Sequence, residues 1–268
     1  MQYNNFELEV AEGCARISLI GPGAPAMGDL CDEFVDLMLR LNEDRAARML
    51  LFIDGDHAFD FHHNLDQLAT AYEKNEGIGE LAADEEISRR IVTLIQESTK
   101  PVIAATRGDI RNLGLCFYMA ADVRLATQQA TFTAPELSGG LIPGWGLTHT
   151  LPRVIGPGRA LEFLWSRRTL TGQEAWQIGI VDRLIDDAVW EEELDRFAAR
   201  VRGLPQPAVH LSKLGVQQAA NLDMTTMLSY EWESQQQCWT SLETGEGLRA
   251  WQEGRQPRHD ATLIDEED

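Results

Sequence analysis

Polar and apolar residues alternate over Phe6 to Val10 and again over Cys14 to Leu19, with a break at Ala11-Glu12-Gly13, so two short strands joined in a hairpin are predicted. Gly21-Pro22-Gly23-Ala24-Pro25 forces a loop. From Asp29, a residue suited to cap a helix, Leu30, Phe34, Leu37, Met38 and Leu41 recur at helical spacing and predict an amphipathic helix. Met49 to Ile53 is a continuous apolar run of strand length, the pattern of a strand buried on both faces. Gly55 to Leu65 reads as a polar and aromatic connection, and Asp66 to Gly79, with weak periodicity, as surface chain. Ile87, Ile91, Leu94 and Ile95 share one helical face that Lys100-Pro101 ends, and Val102 to Ala105 is a second buried strand. Strands alternating with helices predict an α/β fold.

Further on, Asn112 can cap a helix running to about Ala121, and Val123 to Ala126 and Ala130 to Thr133 read as short strands. Glycine and proline over Gly139 to Gly146 make a tight loop. Leu161, Leu164 and Trp165, then Ala175, Trp176, Ile178 and Val181, mark two helical faces. From Asp186 the pattern is helical: Val189 to Val201, Ala208 to Ala219, and Leu222 to about Trp251, with Gly254 as a stop. Two regions result, an α/β core over 1–185 and a helical region with an acidic tail over 186–268.

Composition narrows the partners more than the fold. With 44% hydrophobic and 25% charged residues the chain is globular, and no apolar run reaches the ~18 residues of a membrane span. Met1 to Val10 lacks the basic-then-apolar pattern of a secretion signal, so a cytoplasmic location is expected. Against 23 basic residues stand 43 acidic ones, a net charge of −20 that disfavours nucleic acid and membrane lipid as partners. An anionic ligand such as a coenzyme A ester needs a local basic patch against that field. The four cysteines, at 14, 31, 116 and 238, form no C-x-x-C pair, and reduced thiols are expected.

Glu136 follows Pro135 among Phe132, Ala134, Leu137, Leu141 and Ile142. A carboxylate desolvated there would have a raised pKa and could exchange protons near neutral pH; a solvent-facing loop glutamate is the plain alternative. Asn112-Leu113-Gly114 after a strand would leave helix-start amides that suit a developing oxyanion, although every helix has such a start. His62 and His63 beside Asp60 lack a third ligand at helical spacing, so no metal site is expected. His149 could face the same cleft as the glycine loop or lie on a helix surface. Cys116 reads as a buried structural thiol, with Arg111 the one basic neighbour able to favour a thiolate. Trp145, between two glycines, could line a pocket. No Walker loop, G-x-G-x-x-G after a strand or G-x-S-x-G elbow is present.

Together these segments resemble the crotonase (enoyl-CoA hydratase/isomerase) superfamily. The most specific pieces are Ala130-Thr131-Phe132-Thr133-Ala134-Pro135-Glu136-Leu137, Gly140-Leu141-Ile142-Pro143-Gly144 and Leu151-Pro152-Arg153-Val154-Ile155-Gly156. Lys100 to Ala105 with Gly108, Ala121 to Ala126, Leu170 to Ala175 and Glu246-Gly247 support them. The resemblance implies a spiral of strand-strand-helix repeats with a helical C-terminal trimerisation region, assembling as trimers or as hexamers of paired trimers. It implies no permanently bound cofactor, with coenzyme A entering as part of the substrate. It also implies an enolate held by two backbone amides, here those of Phe61 and Leu113, with Glu136 as catalytic acid and base. His62, His63, Asn112, Cys116, Trp145 and His149 would border the substrate.

Hydratases of the superfamily carry a second catalytic glutamate, and Cys116 stands at its position. A thiol is a poor substitute for a carboxylate in activating water, so isomerisation by a single glutamate is expected over hydration. Phe61-His62-His63 and Arg111-Asn112-Leu113 stand where the family has small residues and glycine. A coenzyme A-independent hydrolase of cyclic β-diketones, similar to 6-oxocamphor hydrolase, is one alternative; its histidine and aspartate positions correspond to Glu136 and Trp145 here. A catalytically degenerate subunit is another.

Overall fold

A computed structural model describes residues 3–19, 27–53, 59, 65–74 and 89–259 of the chain. Strands β1 (Phe6–Ala11) and β2 (Cys14–Leu19) pair antiparallel with Ala11 opposite Cys14. Between them Glu12 and Gly13 sit at φ 48° and 82°, the paired positive values of a type I′ turn, whose twist matches that of the strands. Helix α1 (Met27–Glu43) begins two residues before Asp29, which therefore sits in the first turn and does not cap it. A carboxylate there still favours the helix dipole. Leu30, Phe34, Leu37, Met38 and Leu41 are all buried, each contributing roughly 1.5–3 kcal/mol.

Strand β3 (Met49–Ile53) shows why its sequence lacks alternation. Leu50 and Phe52 enter one core cluster while Met49 and Leu51 enter another on the opposite face of the sheet. Helix α2 (Leu65–Lys74) occupies a stretch expected to be surface chain. Its exposed Tyr72, Glu73 and Lys74 leave little apolar period to read. Residues 89–97 form α3 with Ile91, Leu94 and Ile95 buried; Ile87 lies outside the described residues.

The chain then repeats one unit. Strand β4 (Val102–Thr106) joins the main sheet, β5 (Asp109–Arg111) joins a second sheet, and α4 (Leu113–Ala120) follows. Next β6 (Val123–Thr127) returns to the main sheet and β7 (Thr131–Thr133) to the second, before a 3₁₀ turn and helices α5 (Leu147–Ile155) and α6 (Pro157–Ser166). Strand β8 (Leu170–Thr171), α7 (Gly172–Ile178) and β9 (Arg183–Ile185) complete the sheets. The main sheet runs β1-β2-β3-β4-β6-β9 and is parallel from β2 onward; the second runs β5-β7-β8. This is the expected spiral of strand-strand-helix repeats. Strand β5 was not legible, because three residues with only Ile110 buried show no alternation.

The C-terminal part is helical: α8 (Trp190–Arg202), α9 (Gln206–Gln218), α10 (Met224–Trp239) and α11 (Leu242–Glu253). The single helix expected from Leu222 to Trp251 is two, because Ser241 accepts a hydrogen bond from the Glu243 amide at 3.2 Å and starts a new one. Trp190, Leu194 and Ala198 of α8 pack on Met49, Leu51, Ile103 and Leu125 and cover the second sheet face. Two well-shielded ion pairs tie the helices to the sheet core, Arg48–Glu243 at 3.0 Å and Lys213–Asp122 at 2.8 Å. Among the described residues no helix is long and apolar enough to cross a membrane.

Candidate active site

Glu136 opens the 3₁₀ turn Glu136–Gly139 that follows β7. The Ser138 amide donates to the Pro135 carbonyl at 2.8 Å, Gly140 closes the turn at φ 74°, and the Leu141 amide donates back to the Glu136 carbonyl at 3.1 Å. So held, Glu136 is 8% exposed, and neither carboxyl oxygen finds a hydrogen-bond partner among the described residues. Burial raises its pKa above the ordinary glutamate value. A carboxyl without partners in a desolvated setting weakens the fold, and suits a group that must gain and lose a proton near neutral pH.

The first turn of α4 lies within electrostatic reach of this carboxyl. Cys116 is fully buried there, its Sγ donating to the Asn112 carbonyl at 3.4 Å. Burial pushes the thiol well above its usual pKa and the charge of Glu136 adds to the effect, which keeps Cys116 a neutral thiol and puts the two groups within electrostatic reach. Arg111 is exposed and pairs with Asp109. Asn112 holds the N-cap position expected of it, but at φ 51° and ψ −130° its side chain makes no capping bond. Its carbonyl accepts from the amides of Leu115 at 3.0 Å and Cys116 at 3.4 Å. The Leu113 amide, first in the helix, has no acceptor within it and lies at the positive end of the helix dipole.

Gly114 explains how a second amide could come near. A Cβ built on it would lie 2.3 Å from the carbonyl oxygen of Phe59, so α4 and the chain at Phe59 touch backbone to backbone. Phe59, at φ 42°, is buried and stacks on Phe117 with centroids 5.3 Å apart. Phe61, His62 and His63 lie outside the described residues. The chain on both sides of them is held at one junction, since Phe59 abuts α4 and α2 packs against the 3₁₀ turn of Glu136. This Phe59–Gly114 contact was missed from sequence, although a lone glycine inside an apolar helix signals close backbone approach.

Trp145 is buried at φ 44°, next to Gly146 at φ 77°. A Cβ on neighbouring Gly144 would touch the Leu113 side chain at 3.5 Å, so the glycine loop lies against the start of α4. His149 sits two residues into α5 and is exposed, the surface alternative read for it. The structure thus brings together Glu136, Cys116, Asn112, Leu113 and the Trp145 loop, and leaves His149 at the surface.

The sequence matches the family described as enoyl-CoA hydratase/isomerase over residues 10–262. It is 30% identical over 258 residues to a crotonyl-CoA hydratase of Syntrophomonas wolfei, an alignment covering 95% of this chain and 97% of that one. The crystal structure of an enoyl-CoA hydratase from Bacillus anthracis superposes with a TM-score of 0.86 at 24% identity, covering 95% of this chain and 98% of the other. That of an enoyl-CoA hydratase/isomerase from Cupriavidus metallidurans CH34 superposes with a TM-score of 0.82 at 24% identity, covering 96% of each. Strand order, the carboxyl after β7 and the match along nearly the whole sequence agree: this chain belongs to the enoyl-CoA hydratase/isomerase family and has the crotonase fold.

Proposed function

We propose that this chain moves a proton between two carbons of an enoyl thioester, converting a 3-enoyl to a 2-enoyl group. Glu136 takes the proton from the carbon beside the thioester carbonyl, and the electron pair passes to the carbonyl oxygen, giving a dienolate held by the amides of Leu113 and Phe61. The protonated Glu136 then donates to the fourth carbon, the double bond forms between the second and third, and the oxygen returns to a carbonyl. The carrying observation is that the buried carboxyl of Glu136, unbonded among the described residues, lies within electrostatic reach of a neutral thiol at Cys116, the position where hydratases resembling this chain carry their other glutamate. One acid that both removes and returns the proton suffices for isomerisation; hydration also asks for a group to activate water. On this reading coenzyme A belongs to the substrate, His62, His63 and Trp145 border the acyl group, and His149, exposed on α5, takes no part in the proton transfer.

Hydration is the second reading, favoured by the crotonyl-CoA hydratase of Syntrophomonas wolfei. Assays with 3-hexenoyl-CoA and crotonyl-CoA separate the two. Wild type should turn over the first faster, and Cys116→Glu should raise crotonyl-CoA hydration by at least about tenfold, toward the 10²–10⁴ typical of a positioned acid or base. Hydration by wild type matching its isomerisation, with no gain in the variant, would remove the single-acid mechanism.

We further assign the chemistry to residues 1–185 and self-association, as a homotrimer or paired trimers, to residues 186–268. Met224, Leu228 and Trp232 of α10 are exposed at successive helical turns, with Trp239 further along the same helix. Such a stripe fits an interface better than solvent. Light scattering should give three or six times the 30.0 kDa chain mass, and Trp232→Glu should shift it toward monomer.

A further inference from the structure

We propose that Trp145 is a specificity-determining residue whose indole closes the acyl end of the site, so that short enoyl thioesters are taken and long ones rejected. This rests on the enoyl thioester reading above. Gly144 to Leu147 form a tight turn: the Leu147 amide donates to the Gly144 carbonyl at 3.0 Å, and the two central residues, Trp145 and Gly146, sit at φ 44° and 77°. Two positive values mark a type I′ turn, whose first central position ordinarily goes to asparagine, aspartate or glycine. A bulky side chain at positive φ is a conformational outlier, held only where the surroundings over-determine it, and such residues gather at ligand sites. Both flanks hold Trp145. Gly144 lies against the Leu113 side chain, and the buried Leu147 and Leu151 anchor α5, which packs on α4.

A side chain at the tip of a tight turn faces solvent unless the fold draws it in. Five of the seven tryptophans are exposed, and so are Leu141 and Ile142 in the same glycine-rich loop. Trp145 is 6% exposed, its ring joining the main core against which Leu113 also packs. Trp190, the other buried tryptophan, belongs to α8 and the opposite face of the main sheet. The loop from Glu136 to Gly146 has the proton-exchanging carboxyl at one end and, at the other, the contact with Leu113, whose amide receives the enolate oxygen. A substrate whose carbonyl oxygen meets that amide and whose second carbon meets Glu136 starts its acyl chain between those ends. Trp145 is the largest side chain the loop buries there, and a rigid indole with two rotatable bonds has little room to give way.

Chain length reads this out. One methylene more or less in an apolar pocket is worth about 10–200-fold in kcat/KM, and an apolar cavity on the order of 150 Å³ holds a six-carbon ring. Wild type should lose at least about tenfold in kcat/KM from 3-hexenoyl-CoA to 3-decenoyl-CoA. Trp145→Ala should raise the decenoyl-to-hexenoyl ratio at least about tenfold, and Trp145→Phe, which keeps an aromatic ring in the core, at least about threefold. A ring that only packs the core would lower Tm and slow both substrates together, leaving the ratio unmoved, and that result overturns the proposal. So does a wild type that turns over both thioesters alike. If the alanine variant fails to fold, the ratio in the phenylalanine variant decides. Dissociation constants of hexanoyl-CoA and decanoyl-CoA, which have no double bond to move, should shift in the variants in the same direction. Turnover surviving Glu136→Gln would remove the proton-transfer reading itself, while the two dissociation constants still judge Trp145.

Discussion

Glu136→Gln is expected to lower kcat about 10²–10⁴-fold, the span attributed to a positioned general acid or base, while the fold stays intact. The amide has nearly the shape of the carboxyl and cannot exchange the proton. Stability should move the other way. Burial raises the Glu136 pKa, so the folded state keeps its proton at pH values where the unfolded chain has lost it. Stability from this group is therefore fully present below the unfolded pKa and is lost as pH rises through the folded one. The glutamine variant does not ionise, so its Tm advantage over wild type should be smallest in acid, widen as pH rises through the folded pKa, and then level off. The acid limb of kcat/KM for wild type should lie above the ordinary glutamate range for the same reason. Unchanged turnover in the variant would remove Glu136 from the mechanism, and a Tm difference flat in pH would contradict its desolvation.

Gly114→Ala should be nearly as damaging, through geometry. By helix propensity alone the change stabilises α4 by about 1 kcal/mol. The added Cβ, however, would stand 2.3 Å from the Phe59 carbonyl oxygen, a backbone atom, and its own position is fixed by the α4 backbone. Overpacking of this kind costs roughly 1–3 kcal/mol, so the net effect should be destabilising. Relief requires α4 and the chain at Phe59 to move apart, which displaces the Leu113 amide from any partner donor near Phe61. With one oxyanion donor misplaced, kcat should fall about 10²–10³-fold in the fraction that remains folded. Thermal unfolding and kcat are measured on the same preparation; a variant of wild-type activity would show that the close approach plays no part in aligning the amides.

The elements that read well from sequence have a complete apolar period of their own. Helix α1 shows its buried face in five residues, and β3 shows burial on two faces as an unbroken run. Helix α2 and β5 did not, because one ends in the exposed Tyr72, Glu73 and Lys74 and the other is three residues long. The break at Ser241 was missed because a serine able to cap reads the same as one on a helix surface until the chain turns. At the site, Pro135-Glu136 was legible as a motif, and its meaning came from resemblance more than from local context.

Sequence by itself determined the α/β order, the late helical region, the family, and the pairing of one glutamate with a cysteine where a second carboxylate is expected. These are properties of residue identity and spacing along the chain. Only the tertiary structure decided that Glu136 is buried without a partner, that Cys116 stands close enough to feel its charge, and that Gly114 touches the backbone of Phe59, 55 positions earlier. The same holds for Asn112, whose identity announces a cap and whose dihedrals refuse one. Burial, contact and backbone angle are set by segments distant in sequence packing together, and no local window carries them.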